Sequence, residues 1–177
     1  MSGYFSDAVI FVIDMALGLY SIVLIIRFYL QFFKANFYNP FSQSIVRFTN
    51  IPLLSMRRII PDIGPVNLSA IILLIALEAL RFILTYLVLG KFPSILGVTV
   101  LSFGEVIKSL VQVILFCVFL RALLSWFTSS ANQFLNQILI SFTDPVLKPI
   151  RKLLPAGLGI DFSPIAAFII YTIIIKI

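Results

Sequence analysis

Four apolar stretches alternate along this chain with two amphipathic ones. The first apolar stretch runs from about Ala8 to Phe33, with Asp14 inside it and Arg27 near its end. The second runs from about Ser69 to Leu89 and contains Glu78 and Arg81. The third runs from about Phe103 to Phe127, with Glu105 and Lys108 near its start. Each meets the roughly 20 mostly apolar residues that a bilayer-spanning helix requires. A fourth begins at Pro164, a residue suited to a first helical turn, behind Ser163 as an N-cap. Its 14 residues to Ile177 make about 21 Å of helix against a hydrocarbon core of roughly 30 Å. This helix therefore either spans incompletely or lacks a C-terminal tail.

The two stretches between these spans read differently. Asn39-Pro40 is a helix start, after which Phe41, Ile45 and Phe48 are expected on one face and Ser44 and Arg47 off it. Leu135, Ile138 and Phe142 repeat that pattern between the third and fourth spans. Asp144-Pro145 then reads as a second cap and first-turn pair, leading into a piece with Lys148, Arg151 and Lys152. Both stretches are expected to be amphipathic helices at the membrane surface. The turns that follow, 62–67 and 156–161, carry the Gly and Pro of sharp reversals. Asn67 and Asp161 stand there two residues before Ser69 and Ser163, the expected caps.

The alternation is a repeat. Without any gap, a shift of 94 residues aligns Arg27 with Arg121, Leu30 with Leu124, Phe33 with Phe127 and Gln43 with Gln137. The same shift aligns Phe48-Thr49 with Phe142-Thr143, Arg57-Arg58-Ile59-Ile60-Pro61 with Arg151-Lys152-Leu153-Leu154-Pro155, and Ser69 with Ser163. The register holds through polar and apolar segments alike, so one supersecondary unit is used twice. The units are expected at 1–90 and 91–177. The fold class read from this pattern is an all-α integral membrane protein of two tandem parallel repeats. Each repeat is a transmembrane helix, amphipathic surface helices and a second transmembrane helix.

Composition agrees: 61% of residues are hydrophobic and 11% charged, where a soluble domain carries about a quarter charged. The N-terminus lacks a basic region and a small-residue cleavage site, so the first helix is expected to remain as an anchor. The net charge of +6 flanks the apolar spans instead of forming a basic domain, which favours anionic lipid over nucleic acid. Lys34, Arg47, Arg57, Arg58, Lys148, Arg151 and Lys152 lie in the first and third connections, and the second holds only Lys91. The positive-inside rule then puts both basic connections in the cytoplasm and both termini outward. The single cysteine, Cys117, sits in an apolar run and reads as a small buried hydrophobe.

Several strings resemble the YggT family of small bacterial inner-membrane proteins, which has chloroplast relatives. They are Asn39-Pro40-Phe41-Ser42, Thr49 with Arg57-Arg58-Ile59-Ile60-Pro61, the run from Thr143 to Pro155, and the run from Gly159 to Pro164. The resemblance covers nearly the whole chain. It implies two repeats, residence in the bacterial inner membrane, and associations with osmotic tolerance, the cell envelope or division, and cofactor assembly in the plastid branch. It implies no catalytic reaction. The chain departs from the family's pattern in Asn50-Ile51-Pro52, where the second copy has Asp144-Pro145, and in its short last helix.

Two constellations are candidate sites. Arg57, Arg58, Arg151 and Lys152 end the surface helices, where cations reach phosphate head groups while their stems lie on apolar surface. They are the candidate lipid- or partner-binding residues, and topology determination alone is the plain alternative. Asp14, Glu78, Arg81, Glu105 and Lys108 form a candidate intramembrane polar network, because unpaired charges there cost several kcal/mol. Asp14 and Lys108 are equivalent in the two copies, so a symmetry axis could bring them together. With no histidine, no metal-spaced cluster and no nucleophile beside a base, no catalytic residue, metal or cofactor is expected. The expected function is a non-enzymatic scaffold docking anionic lipid, a membrane protein partner or a second copy, in envelope homeostasis or osmotic stress. The alternative is a small oligomeric channel or transporter contributing to osmotic tolerance.

Overall fold

The computed structural model describes residues 2–58, 60–126, 133–153 and 163–176. Six helices account for most of them: α1 (Ser2–Phe32), α2 (Pro40–Arg57), α3 (Leu68–Val88), α4 (Ile95–Trp126), α5 (Gln133–Leu153) and α6 (Ser163–Lys176). Among the described residues, three helices are long and apolar enough to cross a membrane: Gly3–Phe32, Leu68–Val88 and Ile95–Leu124. The 14-residue α6 is the fourth apolar helix. Span, surface helix and span recur in the order α1-α2-α3 and α4-α5-α6, the two-repeat, all-α membrane architecture.

Local chemistry sets the ends. Asn39 caps α2, its side chain accepting from the Phe41 N–H at 2.9 Å, with Pro40 in the first turn. α1 closes on Lys34 at φ 51°, with the Ala35 N–H bonded to the Leu30 carbonyl and the Lys34 N–H to that of Gln31. This is a Schellman closure on a residue other than glycine. Gly90 closes α3 in the same way, its φ being 68°.

Several boundaries differ from the sequence reading. α4 starts at Ile95 rather than Phe103, because Ser94 follows Pro93 and its hydroxyl takes the Gly97 N–H at 3.1 Å. α1 likewise starts before Ala8. Asn67, not Ser69, caps α3: it accepts from the Ala70 N–H at 2.9 Å, while the Ser69 hydroxyl donates to the Ile60 carbonyl. Asp144-Pro145 starts no helix, since α5 runs through both Pro145 and Pro149. Ile45 and Phe48 also part company. Ile45 packs inward with Ser42, Thr49 and Leu53, while Phe48 is 73% exposed. Asp161 lies outside the described residues.

α3 packs on both α1 and α4; α2 packs mainly on α1 and α5 mainly on α4, and the two touch at the end where α1 stops. The core gathers Leu24, Ile25, Phe28 and Tyr29 of α1 with Leu74 of α3 and Ile138, Leu139 and Phe142 of α5. Phe142 touches the rings of Tyr29 and Phe33, so the surface helix of one copy is locked onto the span of the other. The Tyr29 hydroxyl donates to the Leu110 carbonyl of α4 at 2.6 Å, a second tie between copies. Leu115, Val118, Leu147 and Ala167 form a smaller cluster joining α4, α5 and α6. Exposed apolar side chains such as Phe5, Leu87, Leu96 and Val100 cover the outside of the spans, as lipid-facing surface requires.

Candidate functional site

The embedded charges meet at the seam between α1, α3 and α4. Arg81 of α3 is their centre. Its guanidinium lies 3.2 Å from Asp14, 3.1 Å from Glu78 and 3.9 Å from Glu105. Lys108 reaches Glu105 at 3.1 Å. Asp14 and Lys108 therefore do not pair directly, contrary to the symmetry expectation; Arg81 and Glu105 stand between them. Glu78 is the buried member, at 2% exposure, and accepts a 3.1 Å hydrogen bond from Ser21 of α1. Its other oxygen, Oε2, is held by the charge of Arg81 without a well-aligned hydrogen bond.

This network borders a groove of about 910 Å³ between α1 and α4, floored by Leu135, Ile138 and Phe142 of α5. Asp14, Glu78, Arg81 and Glu105 face it, as do Ser21, Ser109 and Gln112, and most of the rest of its wall is apolar. The volume lies within the roughly 300–1,000 Å³ of small-molecule sites.

A second set of polar groups lies at the basic end. In the first copy Arg57 turns inward: it bonds Asp62 at 3.0 Å and the Gln31 side-chain carbonyl at 3.0 Å. Asn67 donates to that same carbonyl, and the Gln31 amide donates to Asp62. Arg58 points outward and is exposed, as is Arg47. In the second copy Arg121 donates to Thr143 at 2.7 Å and to Asp144 at 2.6 Å. Lys148 adds a 3.4 Å contact to Asp144 and Arg151 a 3.9 Å one. The hydrogen bond from Arg121 holds the Asp144 carboxyl below the ordinary carboxylate range, and Lys148 adds to it. Lys148, Arg151 and Lys152 remain exposed at the surface.

The four basic residues singled out from sequence thus have unlike roles. Arg58 and Lys152 are outward, Arg151 is outward but near Asp144, and Arg57 belongs to an internal cluster. Sequence reasoning passed over Gln31 and Ser21, which carry no charge, and read Asp62 only as part of the polar turn 62–67. It also passed over Asp144 as a carboxylate partner. The Arg27/Arg121 repeat match was the signal that could have found it, since an arginine kept near the end of both first spans needs a partner. Among the described residues no group of three or more His, Cys, Asp or Glu side chains could hold a metal.

The comparisons with known proteins agree with this layout. The CCB3/YggT family model matches residues 6–88 and again 100–177, one match per repeat. "Uncharacterized protein YggT" of Escherichia coli K12 is 34% identical over 166 residues, covering 92% of this chain and 85% of that protein. "Uncharacterized protein in proC 3'region" of Vibrio alginolyticus is 33% identical over 161 residues, 90% of this chain and 86% of its own. An "Uncharacterized protein" of Haemophilus influenzae is 34% identical over 154 residues, 87% and 82% respectively. No enzymatic family is indicated, and no solved structure matches. Two matched segments, one per structural repeat, and relatives aligned over most of both lengths establish that the chain belongs to the CCB3/YggT family.

Proposed function

We propose that this protein is a non-enzymatic scaffold of the bacterial inner membrane that docks anionic lipid on its basic end, in envelope homeostasis or osmotic stress. The supporting observation is that α2 and α5 touch at one end of the bundle and both present cations there. Each carries cations outward: Arg47 and Arg58 on α2, Lys148 and Lys152 on α5. On α2 they are interleaved with exposed Phe48, Ile51 and Leu54. Apolar side chains enter the acyl boundary while cations sit at phosphate level. In this reading both surface helices face the cytoplasm, the side the charge bias selects. Each cation near an anionic leaflet contributes on the order of 1 kcal/mol.

The test uses nanodiscs of mixed phosphatidylglycerol and phosphatidylcholine, with lipid contact read by quenching from brominated phosphatidylglycerol. Replacing Arg47, Arg58, Lys148 and Lys152 by glutamine should abolish the enrichment of the anionic lipid, and salt should weaken it in the wild type. Unchanged enrichment in the quadruple variant refutes the reading.

The groove supports a second reading, a channel or transporter, because Asp14, Glu78, Arg81 and Glu105 line it. The same four residues are engaged with one another or with Lys108 in ion pairs, which favours a structural seam. Flux of a small cation into proteoliposomes, abolished by Glu105→Gln, would favour transport over docking.

A further inference from the structure

The repeat supplies its own control. Arg121 in the second copy has a carboxylate, Asp144, at 2.6 Å. The equivalent position in the first copy is Asn50, which carries no charge. Arg27, the equivalent arginine, is more deeply buried than Arg121, at 6% exposure. Its Nε and Nη1 have no hydrogen-bond partner among the described residues. Thr49 donates its hydroxyl to the Ile45 carbonyl of its own helix just as Thr143 donates to that of Leu139, but only Thr143 also accepts from its arginine.

The surroundings leave this cation uncompensated. The charges that reach it are Arg57 and Asp62. Asp62 is taken up at 3.0 Å by Arg57 and also accepts from Gln31. Arg57 has a buried Nε without a partner as well. Two guanidinium groups thus share one carboxylate, whose Oδ1 is itself unbonded among the described residues; both keep idle N–H donors, and the cluster carries one positive charge in excess. A buried donor left unmade costs the full desolvation of that group, so these N–H groups favour an acceptor from outside the chain. Phe37 lies over Arg27 with its ring centre 5.4 Å from the guanidinium carbon. The ring is itself exposed and belongs to the connection before α2, so one flank of the guanidinium is covered by a surface side chain.

We infer that Arg27, with Arg57 beside it, is a binding site for one phosphate-bearing anion, which takes the place that Asp144 fills in the second copy. Guanidinium N–H groups match phosphate oxygens, and the charge-assisted bonds are strong. The depth suits a lipid head group: Arg27 is five residues from the end of α1, about 7.5 Å along the helix. Asn50, by not being aspartate, keeps the site open. This site is separate from the outward cations of α2 and α5 and stands or falls independently of them.

The experiment titrates delipidated protein in neutral detergent with phosphatidylglycerol in one arm and inorganic phosphate in another, counting bound species by native mass spectrometry. The wild type should hold one tightly bound anion per chain, above any weaker lipid held by the outward cations. Arg27→Gln should weaken it about tenfold or more. Asn50→Asp should do the same while melting no lower than wild type, because it supplies the missing carboxylate internally. That variant separates loss of the site from loss of the fold. Tight binding in the lipid arm alone assigns the site to a head group; equal binding of inorganic phosphate supports the anion site and assigns it to a soluble ion. Equal occupancy in the wild type and both variants overturns the inference, as does no bound anion in either arm. Arg47, Arg58, Lys148 and Lys152 are intact in every variant, so failure here leaves the surface-docking reading to its own test.

Discussion

Arg81→Gln removes the one guanidinium that touches Asp14, Glu78 and Glu105, and the loss falls unevenly on the three. Asp14 is 49% exposed along its side chain, and Glu105 keeps Lys108 at 3.1 Å. Both open on the groove and Glu105 keeps a cation, so each should lose less than Glu78 does. Glu78 is 2% exposed and would retain only the Ser21 hydroxyl. Stranding a buried carboxylate in this way costs about 3–5 kcal/mol, and that figure dominates. Glu78→Gln added to Arg81→Gln should recover about 2 kcal/mol or more, because the stranded charge is gone. The assay is equilibrium unfolding in mixed micelles, followed by circular dichroism. Lys108→Gln serves as the comparison and should cost less than Arg81→Gln, because Glu105 keeps Arg81 at 3.9 Å. A loss under about 1 kcal/mol for Arg81→Gln, or additivity with Glu78→Gln, refutes the claim that Arg81 is the hub.

Three other outcomes are expected. Asp144→Asn should destabilise by about 1–3 kcal/mol by leaving Arg121 without its carboxylate, measured in the same unfolding assay. Asp144 also sets an acid limit: its depressed pKa means its stabilisation is fully present above the ordinary value of 3.8 and is lost as pH falls through the folded value. An acid titration of helix content should show that step in the wild type and not in Asp144→Asn. Lys34→Gly should raise stability by up to about 1 kcal/mol, since the closure of α1 holds a left-handed φ that glycine adopts without strain; a thermal melt reads it. Asn67→Ala should cost about 2–3 kcal/mol, because it removes the α3 cap and a donor to Gln31, and hydrogen exchange should show the first turn of α3 opening before the rest.

The spans, the repeat and the family were legible because hydrophobic length and a fixed 94-residue register are properties of sequence alone. Asn39 was legible for the same reason, since Asn-Pro states a cap and first turn locally. The partners of the charges were not. Asp14 and Lys108 occupy equivalent positions, yet Arg81 intervenes because α3 packs against both α1 and α4, which no periodicity announces. Asp144 looked like a cap because Asp-Pro is a cap signature, but α5 continues through the proline and the carboxylate serves Arg121 instead. Phe48 and Ile45 fit one apolar face on a wheel. α2 buries only the arc that meets the bundle, so Phe48 is left outside. Tertiary packing decided each of these cases over a sound local signal.

The helices of this bundle are not of one length, and that has a mechanical consequence. α1 and α4 have 31 and 32 residues and α3 has 21, so they are about 46, 48 and 32 Å long. A bilayer core is about 30 Å thick, and a tilt of about 40° is already at the upper end of what membrane helices adopt. At that tilt α1 still projects about 36 Å along the normal, while a similarly inclined α3 projects only about 24 Å. Because α3 packs against both longer helices, no single thickness suits all three. A thin membrane leaves the ends of α1 and α4 standing in the head groups, and a thick one draws Asn67 and the polar start of α3 toward hydrocarbon. Mismatch is built into the bundle, and bilayer thickness becomes a force acting on the same end of the molecule that carries Arg27, Arg57 and the surface helices.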